Sequence, residues 1–386
     1  MNVTLISSLP PQKGITPYTL ELIDALSAHP EIEVDPIGYQ SMYPRFMYPG
    51  GAPDNASLAR CDVGRRIMSW WDPTSWLRAG RAATGDVIHA QWWSWFLAPS
   101  YLTLLSTAKR RGLPVIVTVH NARPHELNGW KRVMNSAVIR MADHIIVHSD
   151  RNRGPLQDAG VDRDRVSVVP LGVCAAPSVG VGRATARNKL RIDPDARLVL
   201  LPGNIRAYKG TRVLAQALSE MRGHVPNLRA IVAGEVWKGA PDPRKEVEEY
   251  GVADITDLRL GFAPDDEFAM LFEAADVVVL PYTHFDAQSA AATHALTAKR
   301  ALIVSDAGGL PELVRDARAV VRPGDASDLA AKLTRVLTDD QLRSKLESDT
   351  ATVRRAMSWE TVVGRTFDIY CDVLDLRPAV SLPKAA

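Results

Sequence analysis

Between Asp276 and Glu312 the chain reads DVVVLPYTHFDAQSAAATHALTAKRALIVSDAGGLPE, an order of elements that leaves few folds open. The apolar run Asp276–Leu280 predicts a buried strand, stopped by Pro281 and a polar loop. Small residues over Gln288–Ala298 predict a helix, Ala301–Val304 a second buried strand, and Gly308-Gly309 a turn with an acid behind it. Two strands joined through a helix form a parallel crossover, because antiparallel neighbours need only a short hairpin. Both loops then leave the carboxyl ends of adjacent strands, the edge at which open α/β sheets hold ligands.

The same alternation runs through the whole chain. Strands are predicted at Val3–Ser7, Ile32–Ile37, Asp86–Ala90, Val115–His120, Ile145–His148 and Val166–Val169 in the first half. Leu198–Leu201, Arg229–Ala233, Ile255–Leu260, Val277–Leu280, Ala301–Val304 and Ala319–Val321 follow in the second. Apolar strands alternating with helical patterns imply parallel sheets covered on both faces. Pro170–Gly182 is rich in Gly, Pro and small residues and reads as an interdomain linker. The expected domains are 1–172, joined by a C-terminal helix within 359–386, and 183–356, with a cleft between two doubly wound sheets.

At 386 residues and 46% hydrophobic, the chain can bury two or three cores. A net charge of +2 argues against a nucleic-acid partner. Cys61, Cys174 and Cys371 are far apart with no CxxC pair, which disfavours a disulfide framework or structural zinc. The first residues, MNVTLISSLPPQ, lack the basic and apolar regions of a signal peptide, and no run approaches the roughly 18 apolar residues of a membrane span. A soluble cytoplasmic protein is the expectation.

Several strand ends carry candidate chemistry. In LVLLPGNIRAYKGTRVLAQAL, Gly203 follows a strand and a helix starts near Gly210, placing Arg206 and Lys209 where a diphosphate would lie. An ordinary strand-to-helix turn with solvated cations explains the string equally well, and the Walker spacing is absent. Asp286, Gln288 and Ser289 open the helix of the leading stretch, where backbone N–H groups can face a phosphate or a sugar hydroxyl. Gly309 and Glu312 also fit a plain loop entering a helix, and Glu235 a solvated loop acid. The loop SSLPPQKGITPY holds only Gly14, not the G-x-G-x-x-G of a dinucleotide site; Thr16 as N-cap and Pro17 at N1 would still make an anion-facing helix start. VIVTVHNARPHE ends a strand with His120 and Asn121, then His125 and Glu126, without HExxH spacing. Asp162–Asp164 and Asp193–Asp195 read as turns.

Six of nine tryptophans fall between Trp70 and Trp95. Trp92, Trp93 and Trp95 read as packing. Tyr39–Arg81, with Arg60, Arg65, Arg66, Arg78 and Arg81, reads as an irregular insertion offering an acceptor or membrane surface.

The leading stretch resembles the nucleotide-sugar site of family 4 glycosyltransferases, whose usual form is an E-x7-E segment followed by a GG-x-PE turn. Aligned on Gly308–Glu312, Asp286 falls at the first glutamate and His294 at the second. A subgroup with G-x-IR-x-YKG and VHN-x-x-PHE motifs carries a QSG-type sequence there, and this chain has Gln288-Ser289-Ala290. The family's commoner G-R-L arginine would fall at Asn204, with Arg206 in its place here. The resemblance implies a GT-B fold and retaining, metal-independent sugar transfer from a nucleoside-diphosphate sugar, UDP or GDP, to a glycan or lipid-linked hydroxyl. It implies catalytic roles for His120, Arg206, Lys209 and Asp286. Gly14, Asn121, Gly203, Glu235, Gln288, Ser289, His294, Gly309 and Glu312 would contact substrate, and no cofactor or metal is called for. A catalytically silent partner subunit and a nucleotide-sugar 2-epimerase are the rival readings.

Overall fold

The computed structural model describes residues 1–9, 15–44, 63–121, 129–173, 180–261, 264–286 and 288–375. The chain forms two compact units, Met1–Gly172 together with the segment from Trp359 onward, and Val173–Ser358.

The first unit is built on β1 (Asn2–Ile6), β2 (Glu33–Ser41), β3 (Arg65–Ser69), β4 (Val87–Trp92), β5 (Val115–Val119), β6 (His144–Val147) and β7 (Val166–Val168). These strands lie in the order β3-β2-β1-β4-β5-β6-β7, and every pairing is parallel. β4 (VIHAQW) is buried along its whole length. Alternation puts His89 and Gln91 on one face and Trp92 on the other. Trp92, 1% exposed, donates its indole N–H to Asn135 Oδ1 at 2.7 Å, so a large ring enters the core with its polar atom matched. The helix Trp359–Val373 packs on the helix Ile15–Ser27, and the Trp359 indole donates to Glu21 at 2.9 Å.

The second unit carries β8 (Arg197–Pro202), β9 (Leu228–Gly234), β10 (Thr256–Leu260), β11 (Val277–Leu280), β12 (Ala301–Ser305) and β13 (Val320–Val321). Their order is β10-β9-β8-β11-β12-β13, again all parallel. The strand order turns back at β8, which lies between β9 and β11. Loops leaving β8 and β11 therefore diverge and open a crevice at their carboxyl ends. Val199, Leu201, Val277, Val279 and Ile303 are buried in this core, each contributing about 1.5–3 kcal/mol.

The sequence expectation fails most clearly at Tyr39–Arg81. Instead of an irregular insertion, its described parts are the end of β2, the edge strand β3 and the helix Pro73–Ala82. β3 (RRIMS) is short and begins with two arginines, so it lacks the apolar alternation that marks central strands. The helix has a standard start, with Asp72 accepting from Thr74 N at 2.9 Å and Pro73 opening it. Thr16 is also displaced from its expected role. The helix already begins at Ile15, and the Thr16 hydroxyl donates to the Ser8 carbonyl at 2.8 Å. Among the described residues no helix is long and apolar enough to cross a membrane.

Candidate active site

In the second unit, three glycines hold the loops at the carboxyl edge together. Gly234 ends β9, and a Cβ there would lie 2.3 Å from the Gly203 carbonyl oxygen. At Gly210, with φ +75°, a Cβ would lie 2.0 Å from Pro281 O. Gly308, with φ +50°, would place one 2.6 Å from Phe285 O and 3.0 Å from Asp286 Cα. Only glycine combines this backbone angle with so close an approach. The loops after β8, β9, β11 and β12 thus form one floor, bringing Gly203, Lys209, Asp286 and Gly309 onto neighbouring segments.

Lys209 sits in that floor. It ends a short 3-10 turn, Ala207–Lys209, and is only 7% exposed. Its ammonium donates to the Tyr282 hydroxyl, which is 3.0 Å from Ser289 Oγ. A Cβ on Gly203 would lie 3.7 Å from both Lys209 Nζ and Ala291 Cβ. Burial penalises the charged form and lowers the Lys209 pKa from 10.5 to about 8. Ser289 stands at the N-cap of the helix Ala290–Thr297 yet makes no side-chain capping bond, its hydroxyl being turned to Tyr282. The ammonium and this helix start therefore meet through one phenol.

Arg206 is half-buried, its guanidinium 4.2 Å from the centre of the Trp237 ring. Trp237 is held by N–H donation to Ile205 O at 2.9 Å, while Ile205 N donates to Glu235 O at 2.8 Å. Glu235 thus extends the β9 path beside Arg206 through its backbone. Gln288 is 8% exposed, Asp286 half-buried and Glu312 exposed in the turn Leu310–Leu313. Gly309 is buried just before that turn. His294 packs its ring on Phe272 at 5.4 Å and edge-on to Phe268 at 5.4 Å. Desolvation lowers its pKa, and its position is that of a packing residue between helices. Tyr282 and Trp237 were not singled out by sequence reasoning; the signal was an aromatic two or three residues past a strand end.

In the first unit, His120 closes β5 and joins a buried chain of hydrogen bonds. His148 Nδ1 lies 2.9 Å from the Val169 carbonyl, which only accepts, so Nδ1 carries the proton. His148 Nε2 then accepts from His120 Nδ1 at 3.1 Å. This leaves His120 Nε2 as an acceptor, 2.7 Å from the Gln91 amide. The heavy-atom positions fit either turn of that amide, and the tautomers select the one with NH2 toward His120. Gln91 reaches on to His89 Nε2 at 3.2 Å, and His89 Nδ1 lies 2.6 Å from the Tyr370 hydroxyl. Burial lowers the pKa of all three histidines, His89 to about 3 and His148 to about 4. They are neutral at physiological pH, and both ring nitrogens of His120 are engaged by protein. Asn121 donates to Trp93 O at 3.3 Å. Gly14, His125 and Glu126 lie outside the described residues.

Comparison with known proteins places this arrangement. Residues 182–352 match the family model for glycosyl transferases group 1, and residues 13–172 match the glycosyl transferase 4-like domain. The chain belongs to this glycosyltransferase family. The D-inositol 3-phosphate glycosyltransferase of Streptomyces bingchenggensis is 26% identical over 349 residues, spanning 85% of this chain and 74% of that protein. That of Nocardioides sp. is 27% identical over 311 residues, spanning 74% and 67%. The fold is that of sucrose-phosphate synthase from Thermosynechococcus elongatus, with a TM-score of 0.74, 19% identity, and coverage of 98% of this chain and 100% of that one. It is equally that of Anabaena HepE in complex with UDP, with a TM-score of 0.74, 16% identity and coverage of 96% and 100%. The glycosyltransferase is thus a GT-B protein with two parallel-sheet, Rossmann-like units.

Proposed function

We propose that this glycosyltransferase transfers a sugar, with retention and without a metal, from a UDP-sugar to the hydroxyl of a glycan or lipid-linked acceptor. The observation that carries the reading is the buried ammonium of Lys209, held beside Gly203 and linked through Tyr282 to the helix start at Ser289. A cation already stripped of water is suited to the charge that develops on a departing diphosphate, since it needs no reorganisation when the bond breaks. Arg206, stiffened by the Trp237 ring, supplies the second cation. Asp286, Gln288 and Glu235 would take the sugar and ribose hydroxyls, with Gly309 and Glu312 lining the turn beside them. Among the described residues no side chain is placed as a general base, and a donor phosphate oxygen takes the acceptor proton on the same face. His120 and Asn121 are the first unit's contribution to substrate. A sugar hydroxyl would reach His120 Nε2 by displacing the Gln91 amide.

UDP is chosen because solved structures of the same fold hold it, among them HepE with UDP and with UDP-glucose. For the acceptor surface, Trp71, Leu77, Trp130 and Val133 are exposed in the first unit, with Arg78 and Arg132 exposed beside them. Exposed rings among cations suit the face of an anionic bilayer or lipid-linked glycan. Thermal unfolding against UDP, GDP, ADP and their sugar conjugates tests the donor. A ligand at a hundred times its Kd adds about 2.7 kcal/mol. A shift with UDP compounds alone is expected; a shift only with another base would overturn the donor, and none at all would favour a silent subunit. Liposome flotation tests the membrane face, and absence of binding to anionic vesicles would remove it.

A further inference from the structure

We propose a second anion site on the opposite edge of the second sheet, taking a small phosphate-bearing metabolite. A cavity of about 650 Å³ opens there, lined by Arg183, Arg187, Arg197, Arg343, Asp195 and Asp276. Arg197 begins β8 and Asp276 immediately precedes β11, so this is the amino edge, away from the loops that carry Lys209. The volume lies within the range of small-molecule sites.

Four arginines face two aspartates, and the aspartates do not neutralise them evenly. Asp276 is fully committed: it accepts from Arg187 at 2.9 Å and from Leu198 N at 2.8 Å, and lies 3.3 Å from Arg183. Arg187 is likewise spent, since its other nitrogens donate to Ala274 O at 3.0 Å and Pro194 O at 2.6 Å. That pair is the wall of the cavity. Asp195 is exposed at the mouth.

Arg343 and Arg197 are different. The Arg343 side chain is 12% exposed, and its Nη2 donates to Asp340 at 2.6 Å. Its Nη1 is buried and finds no hydrogen-bond partner among the described residues, and the same holds for Arg183 Nε. Among the described residues the Arg197 guanidinium reaches the same Asp340, at 3.7 Å. Asp340 is 70% exposed, so its hold on the two guanidiniums is screened by water and gives way readily. A buried guanidinium N–H without an acceptor is costly to keep. A tetrahedral phosphate supplies several acceptors to forked donors, and two arginines whose shared carboxylate is exposed are set to take it. The cavity has room beyond the phosphate for the rest of a hexose-sized molecule.

The test starts from a variant whose carboxyl edge cannot bind phosphate, Arg206→Gln with Lys209→Met. Binding of a hexose 6-phosphate is measured by calorimetry at fixed ionic strength, with chloride as the control anion. The background variant is expected to bind, and adding Arg343→Gln or Arg197→Gln should weaken binding about tenfold or more, the cost of a lost charge-assisted hydrogen bond. Asp195→Asn should leave binding equal or tighter. Failure of the background to bind, equal binding after either arginine change, or equal competition by chloride would each overturn the site. Should Arg343→Gln fail to fold, Arg197→Gln, at the partly exposed start of its strand, carries the test alone. Because the carboxyl edge is silenced throughout, the result is independent of the donor assignment.

Discussion

Lys209→Met is expected to make the second unit more stable and the enzyme nearly inert. The ammonium is buried, and its pKa falls from 10.5 to about 8 through desolvation. At 1.36 kcal/mol per pH unit that fall corresponds to a folding penalty of about 3 kcal/mol. The folded pKa is the lower one, so the penalty is fully present below about pH 8, where both states are charged, and fades as the pH rises toward 10.5. Methionine keeps the stem's packing and removes the charge. It gives up the bond to Tyr282, worth about 1 kcal/mol, while Tyr282 retains Ser289 at 3.0 Å. A net gain of about 2 kcal/mol remains at pH 7, a rise in melting temperature of roughly 4–8 °C for a domain of this size. Turnover should fall by about 10²–10³, the usual effect of losing one preorganised charge at a leaving group. Scanning calorimetry at pH 7 and pH 10 with a sugar-transfer assay checks both halves, and the stability gain should shrink at the higher pH. A variant less stable than the parent at pH 7, or one that transfers sugar normally, would refute the reasoning.

Three further expectations follow from the same geometry. Gly210→Ala should cost several kcal/mol and abolish donor binding, because the new Cβ would lie 2.0 Å from Pro281 O; Gly223→Ala, at φ +84° with nothing within 4 Å, should cost only about 1–2 kcal/mol in chemical denaturation. The buried histidines make the first unit acid-sensitive: His89, His120 and His148 have folded pKa values below 6.5, so their stability contribution is present above 6.5 and lost as the pH falls toward about 4. The loss should approach about 4 kcal/mol per pH unit for the three together, and His89→Gln should make the decline shallower in urea titrations at pH 4.5–7. Asp276→Asn should destabilise the second unit by about 3–5 kcal/mol, since it uncovers the buried Arg187 guanidinium, and thermal unfolding would measure it.

Parallel strands buried on both faces wrote themselves plainly into the sequence, which is why β4, β5, β8, β11 and β12 are found within a residue or two of their expected bounds. The edge strand β3 was invisible for the converse reason: it opens with an exposed and a half-buried arginine, and its apolar part is only Ile67 and Met68. The glycine-bounded turn that holds Arg206 and Lys209 was legible because turn chemistry is local. Tyr282 was not, since its place between Lys209 and Ser289 depends on two loops meeting across the sheet edge. The ring contacts of His294 with Phe268 and Phe272 were likewise beyond the motif, because they come from the neighbouring helix. The tautomers of His120 and His148 were equally beyond the sequence, because they are dictated by a carbonyl more than twenty residues away.

The return of the helix Trp359–Val373 to the first unit bears on how the chain is made. Ribosomes add about 5–20 residues per second, so the last pieces of the first unit emerge roughly 10–40 seconds after Gly172. Throughout that interval His89 Nδ1 lacks the Tyr370 hydroxyl that it faces in the finished protein. The face of the helix Ile15–Ser27 that receives the C-terminal helix stays uncovered as well. The second unit, continuous from Val173 to Ser358, can close on its own schedule within the same window. The order of maturation is therefore the reverse of the order of synthesis, and the half translated first is the half that waits for its last helix.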